Sequence, residues 1–170
     1  LVSNSIEQTL FPEFSDLSTT DEYRQIHHYL NEGLVFTAVF SIPGLVGAAL
    51  VGPRVLAVYS PEFQKGATVL LLLISARLVV AFGEQFISAI NAIDRPDIAY
   101  RISIVFVVGN VVLNVALVSL IGWVGAAVAT LAAGSGLLVL SYVSLSRLIG
   151  TPTVPWREFG SQFLAALCMA

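Results

Sequence analysis

The 170-residue sequence predicts an all-α fold, a polytopic bundle of membrane-spanning helices. Two observations support this prediction. The composition is 56% hydrophobic and 11% charged, whereas soluble domains carry about 25% charged residues. The apolar residues are also concentrated in runs of about 20 or more, which is the length that a helix needs to cross a hydrocarbon core about 30 Å thick. Short connections separate these runs, so neighbouring spans are expected to be antiparallel.

The N-terminal region predicts a partial span followed by a surface helix. Residues 1–10 are interpreted as the end of a preceding span, because a residue before proline is disfavoured in helical geometry and Pro12 follows closely. Thr19 and Glu22 then have the spacing of a capping box. This pattern predicts a short amphipathic, interfacial helix at about 20–32, lying on the membrane surface.

Residues 33–52 form the first complete predicted span, with Pro43 and Gly44 near its middle. Proline removes a backbone donor and frees the carbonyl four residues earlier, and in lipid that carbonyl needs another partner. Pro43 and Gly44 are therefore candidates for a kink or hinge. Static packing is the alternative, since proline and glycine are common in membrane helices. A connection is expected at 53–66.

The predicted span at 67–90 contains two charged residues, Arg77 and Glu84. Seven residues at about 100° each return the two side chains to nearly the same helical face. A charge in the bilayer interior costs at least about 2.5 kcal/mol, so both are expected to face protein or a water-filled cavity. Arg77 and Glu84 are therefore candidates for a transport pathway.

A polar turn at 91–98 precedes the predicted span at 99–121. Asn110 and Asn114 lie four residues apart in this span and hence on one face. Amides in hydrocarbon need hydrogen-bond partners, so the two residues either join neighbouring helices or line a polar pathway. Both interpretations remain open from the sequence.

The last complete predicted span is 124–148, and a partial span is expected at 159–170. The sequence is therefore interpreted as a fragment of a longer membrane protein. A stripe of small residues allows another helix to approach closely. The stripe consists of Gly122, Ala126, Ala129, Ala133 and Gly136.

The distribution of basic residues predicts which connections face the cytoplasm. Loops on the cytoplasmic side carry an excess of Lys and Arg. The connections at 11–32, 91–101 and 147–158 carry five basic residues, and those at 53–66 and 119–124 carry two. The first set is therefore expected to be cytoplasmic.

The composition also limits the chemistry that the chain can perform. Cys168 is the only cysteine, which excludes an internal disulfide and a thiolate metal site. His27 and His28 are interpreted as solvated groups on the interfacial helix rather than as metal ligands. The net charge of −3 gives no basic surplus for nucleic acid. No catalytic motif is present, so neither an enzyme nor a cofactor is expected.

Several local patterns, in this order, resemble polysaccharide flippases of the multidrug/oligosaccharidyl-lipid/polysaccharide exporter superfamily, in their C-terminal half. The patterns are FPEFS at 11–15, IP at 42–43, VYSPEF at 58–63, VVLN at 111–114 and IGWVGAAVAT at 121–130. The resemblance implies a fold of two similar bundles around a central cavity, of which this chain would be the second lobe. It also implies a multi-pass protein of the cell membrane that flips a lipid-linked oligosaccharide, or exports polysaccharide units, by alternating access. The implied partners are that substrate, membrane lipids and the N-terminal bundle of the same chain.

For such a transporter we expect Arg77 to meet a pyrophosphate, because contacts between guanidinium and phosphate can be bidentate. Glu84 is expected to orient Arg77 through another helix or to bind a coupling cation. The alternative is an inter-helix ion pair that only stabilises the bundle. Other functions remain open: a multidrug or cation antiporter, a membrane-embedded glycosyl transferase or polymerase, and a structural subunit.

Overall fold

The computed structural model describes residues 22–60, 66–150, 152 and 160–162. Most of the expected partial spans at 1–10 and 159–170, together with Thr19 and Cys168, lies outside these residues. The all-α prediction is confirmed for the part that is described. Four helices follow one another: α1 Glu22–Tyr59, α2 Ala67–Ala92, α3 Pro96–Ile121 and α4 Trp123–Ile149. All four contain stretches that are long and apolar enough to cross a membrane.

Helix α1 differs from the sequence expectation, because it is one continuous helix of 38 residues. The described part of the expected interfacial helix, 22–32, and the expected span at 33–52 are parts of this single element, and the helix also runs through Pro53 into the expected connection. The reason is a buried stripe at helical spacing that crosses the expected boundary. Ile26, Leu30, Leu34 and Ala38 are all at most 3% exposed, so packing continues without interruption through Gly33.

The other three helices begin and end within three residues of the expected bounds, and their connections are short. The turn between α2 and α3 is shorter than expected, because Pro96 is already the first residue of α3, a position that proline favours. Asp94 takes a positive φ of 55° in this turn. Gly122 alone connects α3 to α4, and its φ of 65° is one that glycine adopts without steric cost.

Helix α2 is central and packs against α1, α3 and α4. Its closest approach is to α4 at two glycines. A Cβ atom on Gly134 of α4 would lie 2.8 Å from Val80 Cγ2, and one on Gly83 of α2 would lie 3.1 Å from Leu137 Cδ2. The predicted small-residue stripe is therefore partly wrong. Ala129 and Ala133 are buried, but Gly122 and Gly136 are exposed. Instead, α4 approaches α3 closely at Gly125 and α2 at Gly134.

The apolar core lies at the end of the bundle where α1 begins and α4 ends. Ile26, Ile90 and Leu145 come from α1, α2 and α4 respectively, and all three are fully buried in this core. Helix α3 is peripheral, since only Ala99 and Ile102 are buried between its first and last residues.

Candidate functional site

Arg77 and Glu84 lie on the same face of α2, as the seven-residue spacing predicts. Arg77 Nη1 is 3.9 Å from Glu84 Oε1, and the two side chains are 61% and 31% exposed. The contact is at the outer limit for an ion pair and lies within one helix. This contact therefore does not itself connect α2 to a neighbouring helix.

The neighbours of Glu84 show where this face points. A Cβ atom on Gly83 would contact Leu137, so Gly83 faces α4. Gln85 donates a hydrogen bond to Thr37, so Gln85 faces α1. Successive residues are about 100° apart around a helix. Glu84 therefore points between α1 and α4, which flank α2 on either side.

The opposite side of α2 faces the core. Phe86 and Ala89, which lie across the helix from Glu84, are buried. Arg77 and Glu84 consequently occupy the side of α2 that the described helices leave open. This open side, marked by Arg77 and Glu84, is named here the charged face.

Glu84 has spare hydrogen-bonding capacity on this face. Its Oε2 atom is buried and has no hydrogen-bond partner among the described residues, while Oε1 makes only the long contact with Arg77. Buried polar atoms are normally hydrogen-bonded. Glu84 thus offers an acceptor to a cation, a proton or a donor group.

Two contacts fix the register between the antiparallel helices α1 and α2. Gln85 Nε2 donates to Thr37 Oγ1 over 3.2 Å. Closer to the other end of the bundle, a Cβ atom on Gly52 would lie 3.3 Å from Leu70 Cδ2. Both helices rise equally per residue, so the two contacts together show which residues of α1 and α2 are at the same level.

Arg77 lies at the same level as Leu45. Arg77 is eight residues before Gln85, and Leu45 is eight residues after Thr37. The contact between Gly52 and Leu70 gives the same result, because each of the two residues lies seven positions from it on its own helix. Gly44 and Gly47 flank this level on α1. A Cβ atom on either glycine would meet nothing within 4 Å. Open space therefore borders α1 at the level of Arg77.

Pro43 and Gly44 separate two differently packed parts of α1. Before them, the stripe from Ile26 to Ala38 is buried. Between Val39 and Val58 only Gly52 is buried. The structure thus places the hinge candidates just after the packed part of the helix.

The sequence interpretation missed Thr37 and Gln85, which are 4% and 5% exposed and hydrogen-bonded to each other. The charged residues and the asparagine pair Asn110 and Asn114 drew attention, and the single polar residues within the spans did not. A signal was present, because an amide within a span can bond a neighbouring helix, and Gln85 directly follows Glu84.

His27 is also placed differently from the expectation of a solvated group. Its Nε2 atom is 3.2 Å from the carbonyl oxygen of Ile149, so it connects the beginning of α1 to the end of α4. His28 is exposed and lies 3.3 Å from Glu32 Oε1. Within the described ranges, no three His, Cys, Asp or Glu side chains are grouped as a metal site would require.

Asn110 and Asn114 bond to each other along α3. Asn114 Nδ2 donates to the backbone carbonyl of Asn110 over 2.9 Å and to its Oδ1 atom over 3.0 Å. Both residues are half-buried. These bonds stay within one helix and so provide no connection to a neighbouring one.

We therefore expect the double variant Asn110→Leu/Asn114→Leu to keep the thermal stability of the detergent-solubilised full-length protein. Replacing both partners of a hydrogen bond by apolar groups is nearly neutral. Thr37→Val is the matched control, because it removes a bond between two helices, worth about 0.6–2 kcal/mol. A melting temperature lowered as much by the asparagine variant as by Thr37→Val would contradict this expectation.

Comparison with known proteins gives a consistent set of relatives. Residues 1–170 match the family model described as Lipid II flippase MurJ. Probable flippase AglR of Haloferax volcanii is 36% identical over 173 residues, which cover 100% of this chain and 36% of that protein. Probable low-salt glycan biosynthesis flippase Agl15 of the same organism is 29% identical over 131 residues, covering 76% of this chain and 28% of that protein.

A solved structure, Lipid II flippase MurJ in the inward closed conformation, has the same fold. Its TM-score is 0.76 at 17% identity, covering 99% of this chain and 35% of that one. The chain thus spans about a third of the length of these relatives. The prediction of a multi-pass integral protein of the cell membrane is confirmed by the four apolar helices and these matches.

Proposed function

Because the chain belongs to the lipid II flippase MurJ family, we propose that the complete protein moves a lipid-linked oligosaccharide across the cell membrane by alternating access. The MurJ family lies within the exporter superfamily that the sequence patterns resemble. An oligosaccharide of the polysaccharide or O-antigen type is the finer part of this proposal, and the name of the low-salt glycan biosynthesis flippase Agl15 supports a glycan as cargo. This chain would supply the second lobe, with an N-terminal bundle of the same chain and membrane lipids as its partners.

The charged face is the observation that supports the proposal most strongly. Arg77 lies near the middle of a membrane-spanning helix, and more than half of its side chain is exposed from the bundle. Pointing that guanidinium into hydrocarbon would cost at least about 2.5 kcal/mol. A hydrated cavity between two lobes removes this cost, and such a cavity is what a sugar headgroup needs in order to cross.

Within this cavity, Arg77 would bind the phosphate groups that join the sugar to its lipid. A guanidinium offers two parallel donors to a phosphate, which gives orientation as well as attraction. The open space beside Gly44 and Gly47, at the level of Arg77, would accommodate the headgroup. Glu84 holds Arg77 only at 3.9 Å, so an incoming phosphate can replace the carboxylate as the partner of the guanidinium.

Reconstitution of the complete protein tests the function directly. Proteoliposomes would carry a polyprenyl diphosphate disaccharide with a fluorescent, dithionite-sensitive label on the sugar. We expect the protein to move labelled headgroups between leaflets, so that the fraction quenched by external dithionite rises with time above that of protein-free liposomes. Equal quenching with and without protein would contradict the proposal.

The second candidate is a multidrug or cation antiporter, which the Oε2 atom of Glu84 favours, because it has no hydrogen-bond partner in the part of the chain that the structure describes. Such a protein would exchange an organic cation for protons at this carboxylate. Ethidium uptake into the same proteoliposomes under an imposed pH gradient distinguishes the two functions. We expect lipid flipping without ethidium transport, whereas gradient-dependent ethidium uptake that Glu84→Gln abolishes would favour the antiporter.

A further inference from the structure

Helix α1 combines a firmly packed part with a loosely packed part. The part from Ile26 to Ala38 contributes to the core, and His27 adds a polar contact to the end of α4. The part from Val39 to Val58 has one buried residue, Gly52, which lies against Leu70. The first part thus belongs to the core that α2 and α4 share, and the second part has one buried residue.

The hydrogen bond between Gln85 and Thr37 lies at the boundary of these two parts. Thr37 is six residues before Pro43, which is less than two helical turns. Both side chains are buried, so water does not compete for this bond. Gln85 also directly follows Glu84, so the same bond fixes the rotation of α2 that presents the charged face.

We propose that Gln85 and Thr37 are positioning residues that act as the fixed point of α1 during transport. The part of α1 before Pro43 stays with α2 and α4, and the part after it moves past α2 at the level of Arg77. Bending at Pro43 and Gly44 then changes access to the charged face without disturbing the core. This inference rests on the proposed function, because it describes how the same protein would open.

The packing of the two parts supports a fixed first part and a moving second part of α1. In the first part, Ile26, Leu30 and Leu34 would each lose close packing contacts if they separated from the core, and such packing is what holds helices together within a membrane. In the second part, the Cβ positions of Gly44 and Gly47 face open space. Motion is therefore least costly after Pro43.

Two crosslinks, one on each side of Pro43, test the proposal. The complete protein, with Cys168 and any other native cysteine replaced by serine, would carry either Thr37→Cys with Gln85→Cys or Gly52→Cys with Leu70→Cys. Oxidation with copper phenanthroline would join each pair by a disulfide, and flipping of the labelled polyprenyl diphosphate disaccharide would be measured before and after the reaction.

The two pairs are expected to respond in opposite directions. The Thr37–Gln85 pair should flip about threefold more slowly, or slower still, before crosslinking, because its hydrogen bond is lost, and should recover when the covalent bridge replaces that bond. The Gly52–Leu70 pair should be active before crosslinking and inactive after it. Each single-cysteine variant, treated with the same reagent, controls for modification alone.

Two results would overturn the inference. Loss of flipping on crosslinking Thr37 to Gln85 would mean that this point moves, and unchanged flipping on crosslinking Gly52 to Leu70 would mean that the second part does not. The rate of Thr37→Ser adds a further measure, because serine keeps the hydroxyl acceptor and should restore the flipping that Thr37→Val loses. Absence of flipping in the cysteine-free protein would instead contradict the proposed function itself.

Discussion

Replacing Arg77 by leucine is expected to reduce flipping of the labelled polyprenyl diphosphate disaccharide at least about tenfold, since a lost charge-assisted hydrogen bond is worth about 1.5–3 kcal/mol. The apolar side chain cannot bind phosphate, and Glu84 loses the cation beside it. Arg77→Lys should retain part of the rate, because it keeps the charge but not the two parallel donors. Initial flipping rates in proteoliposomes provide the measurement.

The effect has to be separated from a change in folding. Arg101→Leu is the matched control, because Arg101 is also exposed on a membrane helix but lies near the beginning of α3. We expect this variant to flip normally. A normal rate for both Arg77→Leu and Glu84→Gln, at normal expression, would remove the charged face from the transport mechanism.

The second large effect is expected for Gly125→Ala, in the first turn of α4. A Cβ atom at this position would overlap the backbone carbonyl of Leu117 in α3. A backbone group cannot rotate away as a flexible side chain can, so the turn at Gly122 would have to open. Overpacking of this kind typically costs about 1–3 kcal/mol. We expect a clearly lower melting temperature for the detergent-solubilised protein.

Gly136→Ala provides the control for this prediction, since it makes the same change in the same helix. A Cβ atom on Gly136 meets nothing within 4 Å, and alanine is the better helix former. Its melting temperature should equal or exceed that of the unmodified protein. Equal destabilisation by the two substitutions would show that the close approach of α3 and α4 at Gly125 is not limiting.

The sequence predicts three of the four helices closely, because their apolar runs end at residues that cannot continue the helix. Gly122, for example, has the positive φ that stops α3. Helix α1 could not be predicted in the same way. Its polar beginning has the composition of a surface helix, and only the three-dimensional packing of Ile26 and Leu30 against α2 and α4 shows that it continues the span.

The site could be predicted in part for a similar reason. The spacing of Arg77 and Glu84 places them on one helical face, which is a local property of α2. Which helices lie beside each other depends on tertiary packing. For this reason the sequence predicted neither the contact of Gln85 with Thr37 nor that of His27 with Ile149. For Asn110 and Asn114, the bond that Asn114 donates to Asn110 lies within one helix, and a place on the transport pathway stays a prediction.

The length of α1 gives it a property that the other helices lack. Its 38 residues measure about 57 Å along the axis, nearly twice the thickness of the hydrocarbon core. Tilting cannot bring the whole helix into the hydrocarbon core, because membrane helices are tilted by at most about 40°. Some of its turns must therefore lie outside the hydrocarbon, among the headgroups or in water, where a soluble probe attached to them would report on events that take place deep within the lipid.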